Sequence, residues 1–286
     1  MVEPSRAALV GVPIPPIYRG CIVRAPAPGP PTAGERPGRS GGPFRVSLPR
    51  VGMPTLFAIG GGEIADAETR PMDEAVVDAT GVDEPEVLFL PTASADAVGY
   101  VEKFTEYYGE DLGCSTSVAR LSRAREAPVA ELIEAADAVY VGGGDTGYML
   151  DTWRTRGVDD LLRTAWQDGT VMAGLSAGAL CWFEGGISDA VWLEDVPLGP
   201  VHGLGIVRDL HATVHADPDR RETFREYCSV RDATGIALED LAAIEVRDEE
   251  WRIHTASPNA FAFHVREDAV VPLPTDGEYR PLAALR

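Results

Sequence analysis

The stretch that most constrains this chain is Gly174-Leu175-Ser176-Ala177-Gly178, which follows the strand-like run Thr170 to Gly174 and opens into Ala179-Leu180-Cys181-Trp182-Phe183, a run able to start a helix. A serine between small residues at a strand-to-helix turn is a nucleophile elbow. The sharp bend strains the backbone, lifts the hydroxyl clear and leaves room for a carbonyl. The helix start adds free backbone N–H groups where negative charge develops during acyl transfer. Ser176 is therefore the candidate nucleophile, with the Ala177 N–H as one oxyanion donor. The same five residues also make a plain tight turn, so the assignment needs partners from elsewhere in the chain.

The sequence on either side supplies a scaffold for such an elbow. Thr55 to Ile59 reads as a buried strand, followed by Gly60-Gly61-Gly62, and Met72 to Ala79 looks helical. Val87 to Leu90 is a short apolar strand, after which Ala95 to Tyr108 carries Val98, Val101, Phe104 and Tyr108 on one helical side. Ser115 to Leu121 reads as a third strand, Pro128 to Ala136 as a short helix with proline in its first turn, and Ala138 to Val141 as the next strand. Val158, Leu161, Leu162, Ala165 and Trp166 then share one helix face that leads into the elbow strand. This alternation predicts an α/β fold, a mostly parallel sheet with helices on both faces, in which active residues gather beyond the carboxyl ends of the strands.

Two further features lie at or near such ends. Gly142-Gly143-Gly144 follows Val141 and can bring a backbone amide up to an oxyanion. As a nucleotide signal it is weak, since neither G-x-G-x-x-G nor a following Gly-Lys-Ser/Thr is present. A serine nucleophile needs a base, and all five histidines, His202, His211, His215, His254 and His264, come after Ser176. His211 and His215 sit in an alternating segment that enters Asp217-Pro218-Asp219-Arg220-Arg221, a helix start. The orienting acid is Glu239 or Asp240, which end the strand-like Gly235 to Leu238, or Asp189. The resulting order of serine, histidine, acid differs from the serine, acid, histidine of an α/β-hydrolase.

Taken jointly, Val-Gly-Gly-Gly-Asp-Thr at 141–146, Gly-Leu-Ser-Ala-Gly-Ala at 174–179, and His215 with Asp217 and Arg220-Arg221 resemble peptidase E, the aspartyl dipeptidases, and the related cyanophycinases, over about Met53 to Val270. The resemblance implies a flavodoxin-like sheet related to class I glutamine amidotransferases, with serine in place of their cysteine, and a Ser-His-Glu triad. Carried over residue by residue, it makes Ser176 the nucleophile, His215 the base, and Gly144 with Ala177 the oxyanion amides. The family glutamate falls on Asp240, one methylene shorter, ahead of Leu241 to Ile244. Glu239 is the alternative, and adjacent strand residues face opposite ways, so only one can point at His215. Asp145 stands where the family commonly has asparagine, and with Thr146 it is a candidate substrate contact; Asp189 matches an acidic position after the elbow. The implied substrate is a short peptide with an N-terminal aspartate, whose side chain calls for a cation such as Arg220 or Arg221. The readings set beside this serine peptidase are another amide or isopeptide hydrolase of the cyanophycinase type, and a non-catalytic glutamine amidotransferase-like binding module.

Composition bounds the partners. Residues 1–52 carry seven arginines against Glu3 and Glu35, leaving 18 basic and 43 acidic residues for positions 53–286. Such a surface repels phosphate backbones, so nucleic acid is not an expected partner, and it suits a salt-rich interior. The first 52 residues, rich in proline, glycine and arginine, lack periodicity and are expected to be disordered, with 53–286 forming a single α/β domain and Met53 standing as an alternative start. No apolar run reaches the roughly 18 residues of a membrane span, and no secretory signal is evident, so a cytoplasmic monomer or homodimer is expected. Cys21, Cys114, Cys181 and Cys228 are far apart and suggest neither a zinc site nor a disulfide framework, and no cofactor is implied.

Overall fold

Four short, largely buried runs, β1 (Thr55–Ile59), β2 (Glu86–Leu90), β4 (Ala138–Val141) and β5 (Val171–Leu175), build the parallel centre of the main sheet, and the polar, partly exposed β3 (Ser115–Val118) forms its edge beside β2. Buried parallel strands of this kind need cover on both faces. The structure, a computed structural model, describes residues 53–122, 129–189 and 198–286. The expectations for residues 1–52 and for Pro128 lie outside those residues. In space the parallel strands run β3-β2-β4-β5-β1. Starting the count at β2 gives the flavodoxin-like order 2-1-3-4-5, with β1 taking the fifth place.

The cover on one face comes from α1 (Arg70–Thr80) and α2 (Val98–Glu106). Met72 and Val76 of α1 and Val101 and Phe104 of α2 pack with Phe57, Phe89 and Tyr140 of the sheet. Phe89 stacks on Phe104 with centroids 4.0 Å apart, and Phe104 on Tyr108 at 4.4 Å, so an aromatic ladder fixes α2 to the strands. Each such pair adds about 0.5–1.5 kcal/mol beyond its burial. On the other face lie α3 (Val129–Ala135), α4 (Thr146–Arg156) and α5 (Val158–Gln167), whose Ile133, Trp153 and Leu162 reach the core. Gly157, at φ 71°, ends α4 and begins α5.

The run after the elbow departs from the expected helix. Only α6 (Ala177–Leu180) is helical, and the chain turns at once into β6 (Phe183–Ser188). That strand belongs to a second sheet that the alternation does not announce, together with β7 (Gly199–His202), β8 (Val207–Thr213) and β9 (Gly235–Leu238). Its inner residues, including Ala212, Ile236 and Leu238, join the same core as α4 and α5, while α7 (Pro218–Arg231) covers its outer face with Phe224 and Cys228. The antiparallel strands β10 (Ala242–Arg247) and β11 (Glu250–Thr255) extend the main sheet beyond β1. β12 (Ala262–Arg266) and β13 (Ala269–Pro272) complete the second sheet, and the short β14 (Arg280–Pro281) returns to pair with β11.

Candidate active site

β1 and β5 are parallel neighbours, so their carboxyl ends, Ile59 and Leu175, open at one edge of the sheet. Ser176 follows there with φ 57° and ψ −113°, a sparsely populated conformation for a non-glycine residue. Its N–H donates to the Ile59 carbonyl at 2.9 Å, which anchors the bend. The flanking glycines allow the sharpness: a Cβ on Gly174 would lie 2.2 Å from the Gly178 carbonyl oxygen, and one on Gly178 2.2 Å from that of Val141. The elbow expected from the sequence is present.

The Ser176 Oγ lies 2.8 Å from His215 Nε2, and His215 Nδ1 lies 2.6 Å from Asp240 Oδ1. His215 comes directly after β8 and Val214, in the left-handed region at φ 49°, with its N–H donating to the Gly60 carbonyl at 3.3 Å. Asp240 sits in the turn between β9 and β10, and the Leu241 N–H donates to the Gly61 carbonyl at 2.9 Å. The loop after β1 thus holds both partners. A Cβ on Gly61 would meet Asp240 Oδ1 at 2.0 Å and the His215 ring at 2.6 Å, so the relay has room only because this residue lacks a side chain. Sequence reasoning noted the Gly60-Gly61-Gly62 run and gave it no role.

Of the two candidate acids, the structure brings Asp240 to His215 and turns Glu239 away. Glu239 forms an ion pair with Arg221 and accepts the Phe261 N–H at 2.9 Å. Arg221 also donates to the Ala216 carbonyl and lies 4.2 Å over the Phe263 ring. Arg220 donates to the Val214 carbonyl and pairs with Asp189 at 3.0 Å. Both arginines, the expected substrate cations, therefore carry carboxylate partners of their own and fasten α7 to the strands. Asp145 caps α4 by accepting the Tyr148 N–H at 2.8 Å, and Thr146 shares a buried 3.0 Å hydrogen bond with Ser188.

A cleft of about 470 Å³ opens in front of the serine, with Glu63, Tyr100, Lys103, Gly143, Ser176 and His215 in its walls. A Cβ on Gly143 would stand 3.3 Å from Ser176 Cβ, whereas one on Gly144 would press against the Ala93 carbonyl at 2.3 Å. Lys103, the single lysine of the chain, reaches this cleft from α2 and pairs with the exposed Glu106 at 3.0 Å. Tyr100, Lys103 and Glu63 were invisible to motif reading because none belongs to a glycine or serine signature. Among the described residues no three His, Cys, Asp or Glu side chains converge as a metal site would, and no helix is long and apolar enough to cross a membrane.

A hydroxyl hydrogen-bonded to an imidazole whose far nitrogen meets a carboxylate has the connectivity of an acyl-transfer relay. The wider comparisons agree with that chemistry. The sequence pattern of peptidase family S51 matches residues 56–254. The uncharacterized peptidase YgaJ of Bacillus subtilis (strain 168) is 31% identical over 230 residues, covering 78% of this chain and 98% of its own. The crystal structure of a peptidase from an acI-B1 actinobacterium superposes with a TM-score of 0.62 at 19% identity, over 80% of this chain and 97% of that one. A candidate peptidase E protein from Listeria monocytogenes EGD-e gives a TM-score of 0.54 at 21% identity, over 72% and 100%. These last two show the likeness of fold, and the sequence matches show the lineage: the chain belongs to peptidase family S51, the serine peptidases that include peptidase E and the cyanophycinases.

Proposed function

We propose that this chain hydrolyses short peptides through an acyl-enzyme on Ser176. The observation that carries the reading is the unbroken line from Ser176 Oγ through the His215 ring to Asp240, at 2.8 and 2.6 Å. His215 takes the hydroxyl proton as Oγ attacks the scissile carbonyl, and the resulting oxyanion rests on the Ala177 and Gly144 N–H groups, the Gly143 N–H being donated to the Tyr100 hydroxyl. The imidazolium then protonates the leaving amine, the C–N bond breaks, and water repeats the cycle on the ester. Asp240 holds the imidazole in the tautomer that presents Nε2 to the serine.

A preference for peptides with an N-terminal aspartate requires a cation in the pocket. Lys103 supports that reading, because it lines the cleft and its pair with Glu106 is solvent-exposed and weakly held, so a substrate carboxylate can displace it. The test combines a small phosphonofluoridate with a dipeptide panel. Labelling of Ser176, with cleavage of Asp-Ala well above that of Leu-Ala, is the expected outcome. Labelling with turnover of isopeptides alone would favour the cyanophycinase-type alternative, and an unlabelled Ser176 would leave a binding module.

A further inference from the structure

The three glycines at 142–144 do more than turn the chain. A Cβ on Gly142 would lie 2.9 Å from the Tyr100 ring and 3.1 Å from that of Phe89, so this position is empty to admit Tyr100. The ring is held there edge-on against Phe89, with centroids 5.1 Å apart, and Phe89 is itself stacked on Phe104. So placed, the Tyr100 hydroxyl accepts the Gly143 N–H at 3.2 Å, beside Ser176 and inside the same cleft. A phenol has one proton to donate. Among the described residues the Tyr100 hydroxyl has Gly143 as its only hydrogen-bond partner, so its own proton is uncommitted and the wall that carries it faces the cleft.

We propose that Tyr100 is a catalytic residue of this enzyme: its hydroxyl, fixed by the Gly143 N–H, donates a hydrogen bond to the oxyanion that forms when Ser176 attacks a carbonyl. Accepting from a backbone amide polarises the O–H and strengthens the bond it donates. The proton stays on the phenol throughout, and burial, which pushes the Tyr100 ionisation up to about 12, keeps it there at working pH. This inference rests on Ser176 being the nucleophile and adds a side-chain donor to the main-chain ones.

The rate of Ser176 phosphonylation by a small phosphonofluoridate tests it without knowledge of the substrate. In that reaction the Oγ–P bond forms, P–F breaks, fluoride leaves and the hydroxyl proton passes to His215, while charge builds on the phosphoryl oxygen. Tyr100→Phe is expected to slow labelling by about 10- to 100-fold with an unchanged thermal melt. Equal rates in the two proteins would overturn the role of Tyr100 alone, and a wild-type chain that is not labelled at Ser176 would overturn the nucleophile and this inference together. Replacement of Tyr100 by 3,5-difluorotyrosine, a more acidic phenol, separates donation from support. If the hydroxyl donates, labelling falls as that phenol ionises. If it only props Gly143, the phenolate accepts the amide at least as well and the rate holds, which would overturn the proposal.

Discussion

Two adjacent acids, Glu239 and Asp240, show what a single residue can and cannot reveal by position in the chain. Their neighbourhood was legible because the strand-like Gly235 to Leu238 ends on these two acids and the family resemblance puts the triad acid there. Which of them turns to His215 was not, because that depends on the turn between β9 and β10 and on Arg221 claiming Glu239. The consequence is a sharp contrast. Asp240→Asn keeps the shape but lets the imidazole settle in the wrong tautomer, and kcat is expected to fall by about 10²- to 10⁴-fold. Glu239→Gln is expected to leave kcat within a few-fold while costing about 1–3 kcal/mol of stability through the weakened pair with Arg221, as read by urea unfolding. Gly61 was equally hidden, since its contribution is the absence of a side chain. Gly61→Ala puts a methyl where Asp240 Oδ1 and the His215 ring now meet, so phosphonylation of Ser176 should slow by about 10²-fold while the fold survives.

Elements were legible in proportion to their apolar periodicity. β1, β2, β4 and β5 are unbroken buried runs and were readable as strands, whereas β6 (Phe-Glu-Gly-Gly-Ile-Ser) and β7 (Gly-Pro-Val-His) hold glycine, proline and charge. Their pairing is fixed by β8 and by the core beneath, information that lies far away in the chain. A second feature hidden at this scale is the clamp between α1 and the turn after α2. Asp73 of α1 is fully buried and accepts hydrogen bonds from Thr69, Tyr107 and Tyr108 at 2.7, 3.2 and 2.8 Å. Burial outweighs those bonds and raises its carboxyl from 3.8 to about 6. The native state therefore binds a proton more readily than the unfolded chain, and this stabilisation is complete below about pH 4 and is lost as pH rises through about 6. A shift of that size corresponds to roughly 3 kcal/mol. Comparing urea unfolding of wild type with Asp73→Asn isolates the effect from other acids: the stability of the wild type relative to the variant should fall by up to about 3 kcal/mol between pH 4 and pH 7.5. A flat difference would mean that the three hydroxyls solvate the carboxylate well enough to cancel its burial.

Across the whole molecule the dominant fact is charge, and it was fully legible from composition: a net of −20, deepened once residues 1–52 are set aside, with one lysine among 25 basic residues. The described ion pairs do not offset it. Arg70–Glu74, Lys103–Glu106 and Arg280–Asp276 are local pairs three or four residues apart between solvent-exposed side chains, and water screens each of them. The remaining acids repel one another over distances comparable to the Debye length, which is about 10 Å at 0.1 M salt and about 3 Å at 1 M. Concentrated salt therefore has opposite effects on two populations: it weakens a set of short-range pairs that contribute little, and it removes a longer-range repulsion summed over many acids. The second should win, because contacts near 3 Å remain inside even the shorter screening length while most acid–acid separations fall outside it. Raising sodium chloride from about 0.1 M to about 1 M is expected to increase the melting temperature, by about 2–4 °C for each kcal/mol of repulsion removed. Chloride is the anion to use, since sulfate would also stabilise by exclusion from the surface. An unchanged or lower melting temperature in molar salt would show that the acids are spaced widely enough to ignore one another, and the expectation that this surface suits concentrated salt would have no physical basis.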